Sequence, residues 1–192
     1  MKYKLYRITR PLITLFMKLI YRIEIINKEN IPDTGCILAG NHKNNLDCLI
    51  LISSVKRTIR FLGKIELFKK HSWIFKNMGV IPVDRSIKNK KVIIESEEVL
   101  KNDGIIGIFP EGTFNKSEYI VRPFKIGAVK MSYDTKKPIV PFAIINDYKI
   151  FKKSVKIIFG KPYIVKNSDL VYENNKLMNK VIKLLKEDYE KE

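Results

Sequence analysis

The sequence predicts an α/β fold: a mixed, largely parallel sheet flanked by helices, with an N-terminal amphipathic membrane-associating helix. From Thr34 onward, short apolar runs alternate with longer stretches of helical periodicity, as expected for strands alternating with helices. Apolar residues make up 45% of the chain, which excludes a disordered protein, and 192 residues suffice for one domain with a substantial core. No internal repeat is visible that would predict a solenoid.

The chain opens with a basic and apolar segment, residues 1–30, which we expect to be a membrane-associating appendage to a domain formed by residues 31–192. Its longest uncharged run, Pro11–Met17, is far shorter than the ~20 apolar residues that span a bilayer. The pattern predicts either a helix in the membrane interface or an ordinary amphipathic helix packed on its own domain. The apolar residues at helical spacing are Leu12, Leu15, Phe16, Leu19, Ile20 and Ile23.

Short apolar runs predict six strands, and longer runs of helical periodicity predict five further helices. The strands are Cys36–Ala39, Thr58–Leu62, Gly79–Val83, Ile105–Phe109, Ile139–Ile145 and Val155–Phe159. The helices are Asp47–Val55, Leu67–Met78, Lys88–Lys101, Lys125–Tyr133 and Asn175–Tyr189. Ser86 or Asn89 is the predicted N-cap of the third of these helices.

The net charge of +17, from 37 Lys and Arg against 20 Asp and Glu, indicates anionic partners. Nucleic acid, an anionic bilayer and phosphate-bearing substrates all fit, and charge alone does not choose among them. The two cysteines, Cys36 and Cys48, belong to no CxxC motif and no His cluster, which excludes a disulfide scaffold and a recognisable zinc site. We expect both to be small buried apolar residues in a reduced cytoplasmic protein.

Polar residues directly follow four of the predicted strands: His42, Gly63-Lys64, Asp84-Arg85 and Glu111. Functional sites in open α/β sheets lie at the carboxyl ends of the strands. We therefore expect these four groups to gather along one edge of the sheet.

His42 and Asp47 are a candidate catalytic pair. A carboxylate close to a histidine fixes the tautomer of the imidazole, and it stabilises the imidazolium that forms when the histidine acts as a base. The alternative is a histidine at a strand end and an aspartate that caps the next helix. The spacing alone does not separate the two.

Five sequence blocks together resemble the signature blocks of the glycerolipid acyltransferases, the lysophosphatidate acyltransferase family. They cover about residues 36–145 in the family's order and roughly its spacing. They are Asn41-His42-xxxx-Asp47, Gly63-Lys64-Ile65-Glu66-Leu67, Gly79-Val80-Ile81-Pro82-Val83-Asp84-Arg85, Phe109-Pro110-Glu111-Gly112-Thr113 and Ile139-Val140-Pro141-Phe142. The segment Phe124-Lys125-Ile126-Gly127-Ala128 is similar to the family as well.

The resemblance implies an O-acyltransferase of phospholipid biosynthesis. It would move a fatty acyl group from acyl-CoA or acyl carrier protein to the hydroxyl of lysophosphatidate or a related lysolipid. His42 would take the hydroxyl proton, Asp47 would orient the ring, and the acceptor would attack directly, without an acyl-enzyme and without a cofactor or metal. The chain accordingly lacks a Gly-x-Ser-x-Gly nucleophile elbow.

The resemblance also implies that the acceptor phosphate lies on the second and third blocks, with Lys64, Arg85, Glu111, Gly112 and Thr113 as substrate-binding residues. Arg85 suits bidentate phosphate contact, unless it is a surface arginine paired with the aspartate before it. Lys64 is either a phosphate contact or a solvated lysine. Glu111 is expected to order the site, and Gly112-Thr113 either supplies backbone donors or forms a plain turn.

The chain departs from the family at one position. The third block usually continues with an arginine after Thr113, whereas this chain has Phe114. Lys116 or Arg122 takes over the missing phosphate contact, or the acceptor head group differs.

The expected location is the cytoplasmic face of the cell membrane, with an anionic membrane surface, the lysophospholipid acceptor and the acyl donor as partners. The competing hypothesis from another class is a basic nucleic-acid-binding module. No helix-turn-helix, zinc finger or RNP signature supports it, so no nucleic-acid partner is expected. A further alternative is an acyltransferase-fold protein that acts on a different lysolipid or polar acceptor, or that binds lipid without activity.

Overall fold

The structure is a computed structural model that describes residues 3–84, 90–146, 148–153 and 155–189. Arg85 and the predicted helix caps Ser86 and Asn89 lie outside the described residues. No helix in the described part of the chain is both long enough and apolar enough to cross a membrane.

Seven strands and six α-helices are found in the described ranges. The strands are β1 (Glu24–Ile26), β2 (Cys36–Gly40), β3 (Ile59–Lys64), β4 (Ile81–Val83), β5 (Ile105–Ile108), β6 (Ile139–Asn146) and β7 (Val155–Phe159). The helices are α1 (Lys4–Tyr21), α2 (Leu46–Ser54), α3 (Glu66–Asn77), α4 (Lys90–Lys101), α5 (Gly127–Thr135) and α6 (Leu170–Tyr189). A single 3₁₀ turn, Lys28–Asn30, follows β1.

The strands form one sheet in the order β1-β7-β6-β2-β5-β3-β4. All neighbouring strands run parallel except β6 and β7, which are antiparallel. The predicted mixed, largely parallel sheet is therefore confirmed. Its four adjacent parallel strands β2, β5, β3 and β4 place their carboxyl ends on one edge.

Strand β2 lies between β5 and β6 and is buried on both faces, which explains its unbroken apolar sequence. Cys36 and Leu38 face the core layer formed with α1 and α2, whereas Ile37 and Ala39 face the layer formed with α4, α5 and α6. At its carboxyl end, a Cβ on Gly40 would lie 2.3 Å from the carbonyl oxygen of Phe142. Only glycine permits this approach of β2 to β6.

Three differences from the sequence prediction have identifiable reasons, and the other element ends shift by at most two residues. Strand β1 was not predicted because it has three residues, and it is held by parallel pairing with β7 rather than by its own pattern. Strand β4 begins at Ile81 rather than Gly79, whose φ of +76° places it in a turn after α3. Helix α6 begins five residues before Asn175, because Asp169 caps it by accepting from the backbone N–H groups of its first turn.

Helix α1 packs on its own domain along one side and exposes apolar residues along the other. One side packs on α2 and buries Tyr6 and Met17 in the core, where the Tyr6 hydroxyl accepts from the backbone N–H of Ile59. Burial raises the pKa of this hydroxyl. The other side exposes an apolar stripe to solvent, which we call the α1 stripe: Ile8, Leu12, Leu15, Phe16 and Leu19.

Candidate active site

His42 and Asp47 lie in direct contact where the chain passes from β2 into α2. His42 Nδ1–H donates to Asp47 Oδ2 over 2.9 Å, since an ionised carboxylate can only accept. The Asp47 side chain is 1% exposed and that of His42 is 14% exposed. The predicted pairing of the two side chains is present in the structure.

Asp47 accepts more hydrogen bonds than a helix cap requires. Its Oδ2 also accepts from the backbone N–H groups of Lys43 and Asn44, at 2.7 and 2.8 Å, and its Oδ1 accepts from the hydroxyl of Tyr148. These donors belong to the loop that carries His42 and to the connection between β6 and β7. The carboxylate therefore fixes the loop as well as the imidazole ring.

Tyr148 is a site residue that the sequence analysis missed. Its ring packs edge-on against Tyr21 at the end of α1, with 5.7 Å between ring centroids. Burial, and secondarily the charge of Asp47, raises the pKa of the Tyr148 hydroxyl, which keeps it a donor at neutral pH. No motif in the chain connects a residue 101 positions away to Asp47.

Glu111 holds the backbone of His42 in place. Its side chain is buried (4% exposed) at the end of β5, its Oε1 accepts from the backbone N–H of His42 at 2.7 Å, and its Oε2 accepts from that of Arg122 at 2.8 Å. Burial raises the pKa of this carboxyl, and the two backbone donors oppose the shift. Glu111 thus contacts the site through backbone amides.

Asn41 extends the pairing of β2 with β6 beyond the last strand residue. Its buried side-chain amide donates to the carbonyl of Ile144 at 2.8 Å and accepts from the backbone N–H of Ile144 at 2.7 Å. The side-chain amide of Asn41 thus makes the two hydrogen bonds that a backbone residue would make with a neighbouring strand. The residue before His42 is therefore anchored to the sheet.

The ring of His42 is packed between two phenylalanines. Phe109 stacks on it with centroids 3.9 Å apart and an interplanar angle of 16°, and Phe114 meets it edge-on at 4.5 Å. Phe114, at the position where the resemblance leads us to expect an arginine, therefore contacts the imidazole itself. Together the two rings restrict the plane of His42.

An apolar cavity of about 490 Å³ reaches His42 from the side of α2, β3 and α3. Its walls include Tyr6, Cys48, Leu49, Phe61, Phe75 and Met78, and the predicted site residues Lys64, Gly112 and Thr113 lie on its border with His42 and Phe114. The structure thus brings His42, Asp47, Lys64, Glu111, Gly112 and Thr113 to one region of the sheet edge, as expected from the strand ends.

Three basic side chains lie near Gly112 or in the loop that follows it. Gly112 has a φ of +70°, and a Cβ there would lie 3.0 Å from Cε of Lys125. The exposed Lys125 side chain therefore passes directly over Gly112. Arg122 and Lys116, the proposed substitutes for the missing arginine, are both exposed in the same loop.

Burial disfavours the thiolate form of both cysteines. Cys48 lines the cavity and is half-buried rather than buried, yet desolvation raises the pKa of its thiol to about 12. Burial raises the pKa of the Cys36 thiol to about 11. Since the thiolate is the reactive form, neither residue is suited to form an acyl-enzyme.

The fold and the site define a class of α/β protein. A His–Asp pair lies where the parallel strands of its sheet end, and His42 of this pair lines an apolar cavity. Residues 22–145 match the family model described as acyltransferase. The chain belongs to this acyltransferase family.

Its relatives carry a consistent description. Over 149 residues, 73% of each protein, the chain is 34% identical to the 1-acyl-sn-glycerol-3-phosphate acyltransferase of Bacillus subtilis. It is 35% identical over 154 residues to a probable 1-acyl-sn-glycerol-3-phosphate acyltransferase of Mycoplasma pneumoniae, a match that covers 74% of this chain but only 55% of the relative.

The fold also resembles that of a solved structure. The crystal structure of the 1-acyl-sn-glycerophosphate acyltransferase from Thermotoga maritima superposes with a TM-score of 0.74 and 21% sequence identity. The superposition covers 95% of this chain and 81% of that protein. At this identity the likeness establishes the fold.

Replacing Glu111 with Gln should loosen the loop that carries His42. The amide would turn an N–H group toward one of two backbone N–H donors, so one buried donor loses its acceptor and the free energy of unfolding falls by about 1–3 kcal/mol. Chemical denaturation measures this change. Glu118→Gln, an exposed carboxylate in the same loop, is the matched control. Equal stability of the two variants would contradict the ordering role.

Proposed function

We propose that this chain is a lysophosphatidate acyltransferase of phospholipid biosynthesis. It transfers a fatty acyl group from acyl-CoA or acyl carrier protein to the hydroxyl of lysophosphatidate or a related lysolipid. The observation that carries the proposal is the His42–Asp47 pair at the border of the apolar cavity, which places a base next to a space suited to an acyl chain. Family membership and the descriptions of the relatives support the reaction class.

In the proposed reaction His42 is the general base. Because Asp47 engages Nδ1, Nε2 takes the proton of the acceptor hydroxyl as its oxygen attacks the thioester carbon. The C–O bond forms, the C–S bond breaks, and the proton passes from the imidazolium to the leaving thiolate. General-base catalysis of this kind contributes about 10²–10⁴-fold to the rate. Asp47 stabilises the imidazolium that exists between the two proton transfers.

We assign the acceptor phosphate to the cationic border of the cavity. Lys64 ends β3 on this border, and Lys125 passes over Gly112, whose neighbouring backbone can donate to phosphate oxygens. Arg85 stays a proposed ligand on the strength of the second sequence block. Phe114 occupies the arginine position and contacts His42 instead, so the charge that an arginine would supply there comes from lysines of other segments.

We also propose that the chain works at the cytoplasmic face of the membrane. The α1 stripe is flanked by the exposed basic side chains Arg7 and Lys18, the composition expected of a helix that lies in an anionic interface. The overall charge of +17 suits the remaining anionic partners, the acceptor phosphate and CoA or the acidic carrier protein.

The His42→Ala variant should lose about 10²–10⁴-fold of the acyl-transfer rate while its thermal unfolding stays close to wild type. Purified protein, acyl-CoA and a panel of lysolipids, with products read by mass spectrometry, provide the assay and identify the head group. The matched control is His71→Ala, because His71 is the second histidine of the chain and is exposed on α3. Near-wild-type turnover by His42→Ala would refute the general-base role.

Tyr148→Phe should lower kcat about tenfold with little change in either KM, because it removes a hydrogen bond to the charged Asp47 and no substrate contact. Tyr163→Phe is the matched control, since its buried hydroxyl has no hydrogen-bond partner in the described structure. In an Asp47→Asn background, the Tyr148→Phe change should have little further effect. Additive losses would show that Tyr148 does not act through Asp47.

Replacing Leu12 and Leu15 with Ser should weaken flotation with anionic vesicles by about tenfold or more, because each removes apolar area from the membrane-facing side. This pair is a cleaner test than truncation, since deleting α1 would also remove Tyr6 and Met17 from the core. The double control Ile94→Ser and Val171→Ser changes equally exposed residues on α4 and α6. Equal flotation of both double variants would show that α1 serves only internal packing.

A further inference from the structure

Helix α3 is a surface helix without a buried side. All twelve of its residues are described, and none is buried. Trp73 is 68% exposed, and Leu67 and Ile74 are each 43% exposed. Most of the stability of a protein helix comes from burying an apolar face against a partner. Within the described part of the chain, α3 lacks a complete partner for its apolar residues.

The same segment carries a positive surface. Lys64, Lys69, Lys70 and Lys76 are exposed on or just before α3, against the single carboxylate Glu66. Large apolar side chains, above all tryptophan, beside several lysines form the side-chain set that favours an anionic bilayer interface. A bilayer fits both properties, because it takes up the apolar residues and attracts the lysines.

Helix α3 also lies next to α1. The side-chain oxygen of Thr9 on α1 lies 3.6 Å from the sulfur of Met78, the residue directly after α3, and Tyr3 packs against Gly79. Tyr6 of α1 and Phe75 of α3 both line the apolar cavity. The exposed residues of α3 and the α1 stripe therefore belong to two adjoining helices that flank one cavity.

The cavity reaches the surface along α3. Leu67 lines it and is at the same time substantially exposed, and Lys64, also on its border, is exposed. The backbone leaves helical geometry at His71, with φ −133° and ψ 41°, so α3 consists of two short helical segments. Leu67 lies on the first segment, whereas Trp73 and Ile74 lie on the second.

We propose that α3 is a second membrane-contacting element, which inserts Trp73 and Ile74 into the interface of an anionic bilayer beside α1. A lipid acyl chain then passes from the bilayer past Leu67 into the cavity without crossing water. The inference rests on the proposed function only where it names the lipid substrate as the occupant of the cavity. The contact between α3 and the bilayer rests on exposure and charge alone.

Trp73 is the single tryptophan of the chain, so its fluorescence reports on α3 without labelling. The full chain is mixed with phosphatidylglycerol-containing vesicles, with and without brominated acyl chains. We expect a blue shift of the emission and quenching by the brominated lipids. Vesicle flotation with unchanged emission and no quenching would overturn the proposal, because the protein would then bind through other surfaces.

The same experiment with the His42→Ala variant separates this proposal from the proposed reaction. The variant should show the full blue shift and quenching, since membrane contact by α3 needs no turnover. A wild-type protein that shows the shift but acylates no lysolipid would refute the proposed function and leave the α3 contact standing. A protein that acylates lysolipids but leaves the Trp73 emission unshifted would refute the α3 contact and leave the proposed function standing.

Substitution tests the contact by a second measurement. Trp73→Ser with Ile74→Ser should weaken flotation about tenfold or more, with thermal unfolding unchanged because neither side chain is buried. Ile94→Ser with Val171→Ser again serves as the matched control. Lys69→Gln with Lys70→Gln should weaken binding to anionic vesicles at low salt and have little effect at high salt. Flotation of the Trp73/Ile74 variant equal to that of its control would reject α3 as a membrane contact.

Discussion

The arrangement of the site depends on one buried charge, the carboxylate of Asp47. An ionised group removed from water costs several kcal/mol unless it is paired and hydrogen-bonded. Here the imidazole of His42, two backbone amides and the Tyr148 hydroxyl supply the donors. They come from the loop after β2 and from the connection between β6 and β7, so satisfying one carboxylate fixes the geometry of both segments. The functional ring is held by the same contacts that make the burial of Asp47 tolerable.

The sheet supplies the second constraint, because its central strands end together. Gly40 brings β2 close to β6, Asn41 continues that pairing with its side chain, and Glu111 ties the backbone of His42 to the end of β5. The first two contacts join β2 and its extension to β6, and the third joins His42 to the turn that follows β5. The histidine is thereby held between the carboxyl ends of β2, β5 and β6, while α3, which has no buried residue, borders the cavity. In the proposed acyl transfer, this arrangement would place the base His42 beside the space that receives the acyl chain.

Much of this arrangement could be predicted from the sequence because it is local or repeats along the chain. Apolar runs located six of the seven strands, and polar residues after the strands located the His42, Lys64 and Glu111 positions. Contacts between segments far apart in the chain could not be read in this way. The hydrogen bond from Tyr148 to Asp47 spans 101 positions, and the stacking of Phe109 on His42 depends on how β2 and β5 lie side by side. Strand β1 could not be predicted for the same reason, because it is defined by its pairing with the distant strand β7.

Phe114 shows how one replacement can leave the base intact and alter what surrounds it. An arginine at this position would place a planar, permanently charged fork beside the imidazole, where it can hold a phosphate bidentately. Phenylalanine offers no such contact, but its edge packs on His42 and, with Phe109, keeps the ring in one plane. Lysine can supply the missing charge from Lys64 or Lys125, yet as a flexible point charge it fixes the phosphate less strictly. Under the proposed function, the substitution leaves proton transfer to His42 unchanged and relaxes the discrimination among anionic head groups, so head-group specificity is the property that Phe114 should alter most.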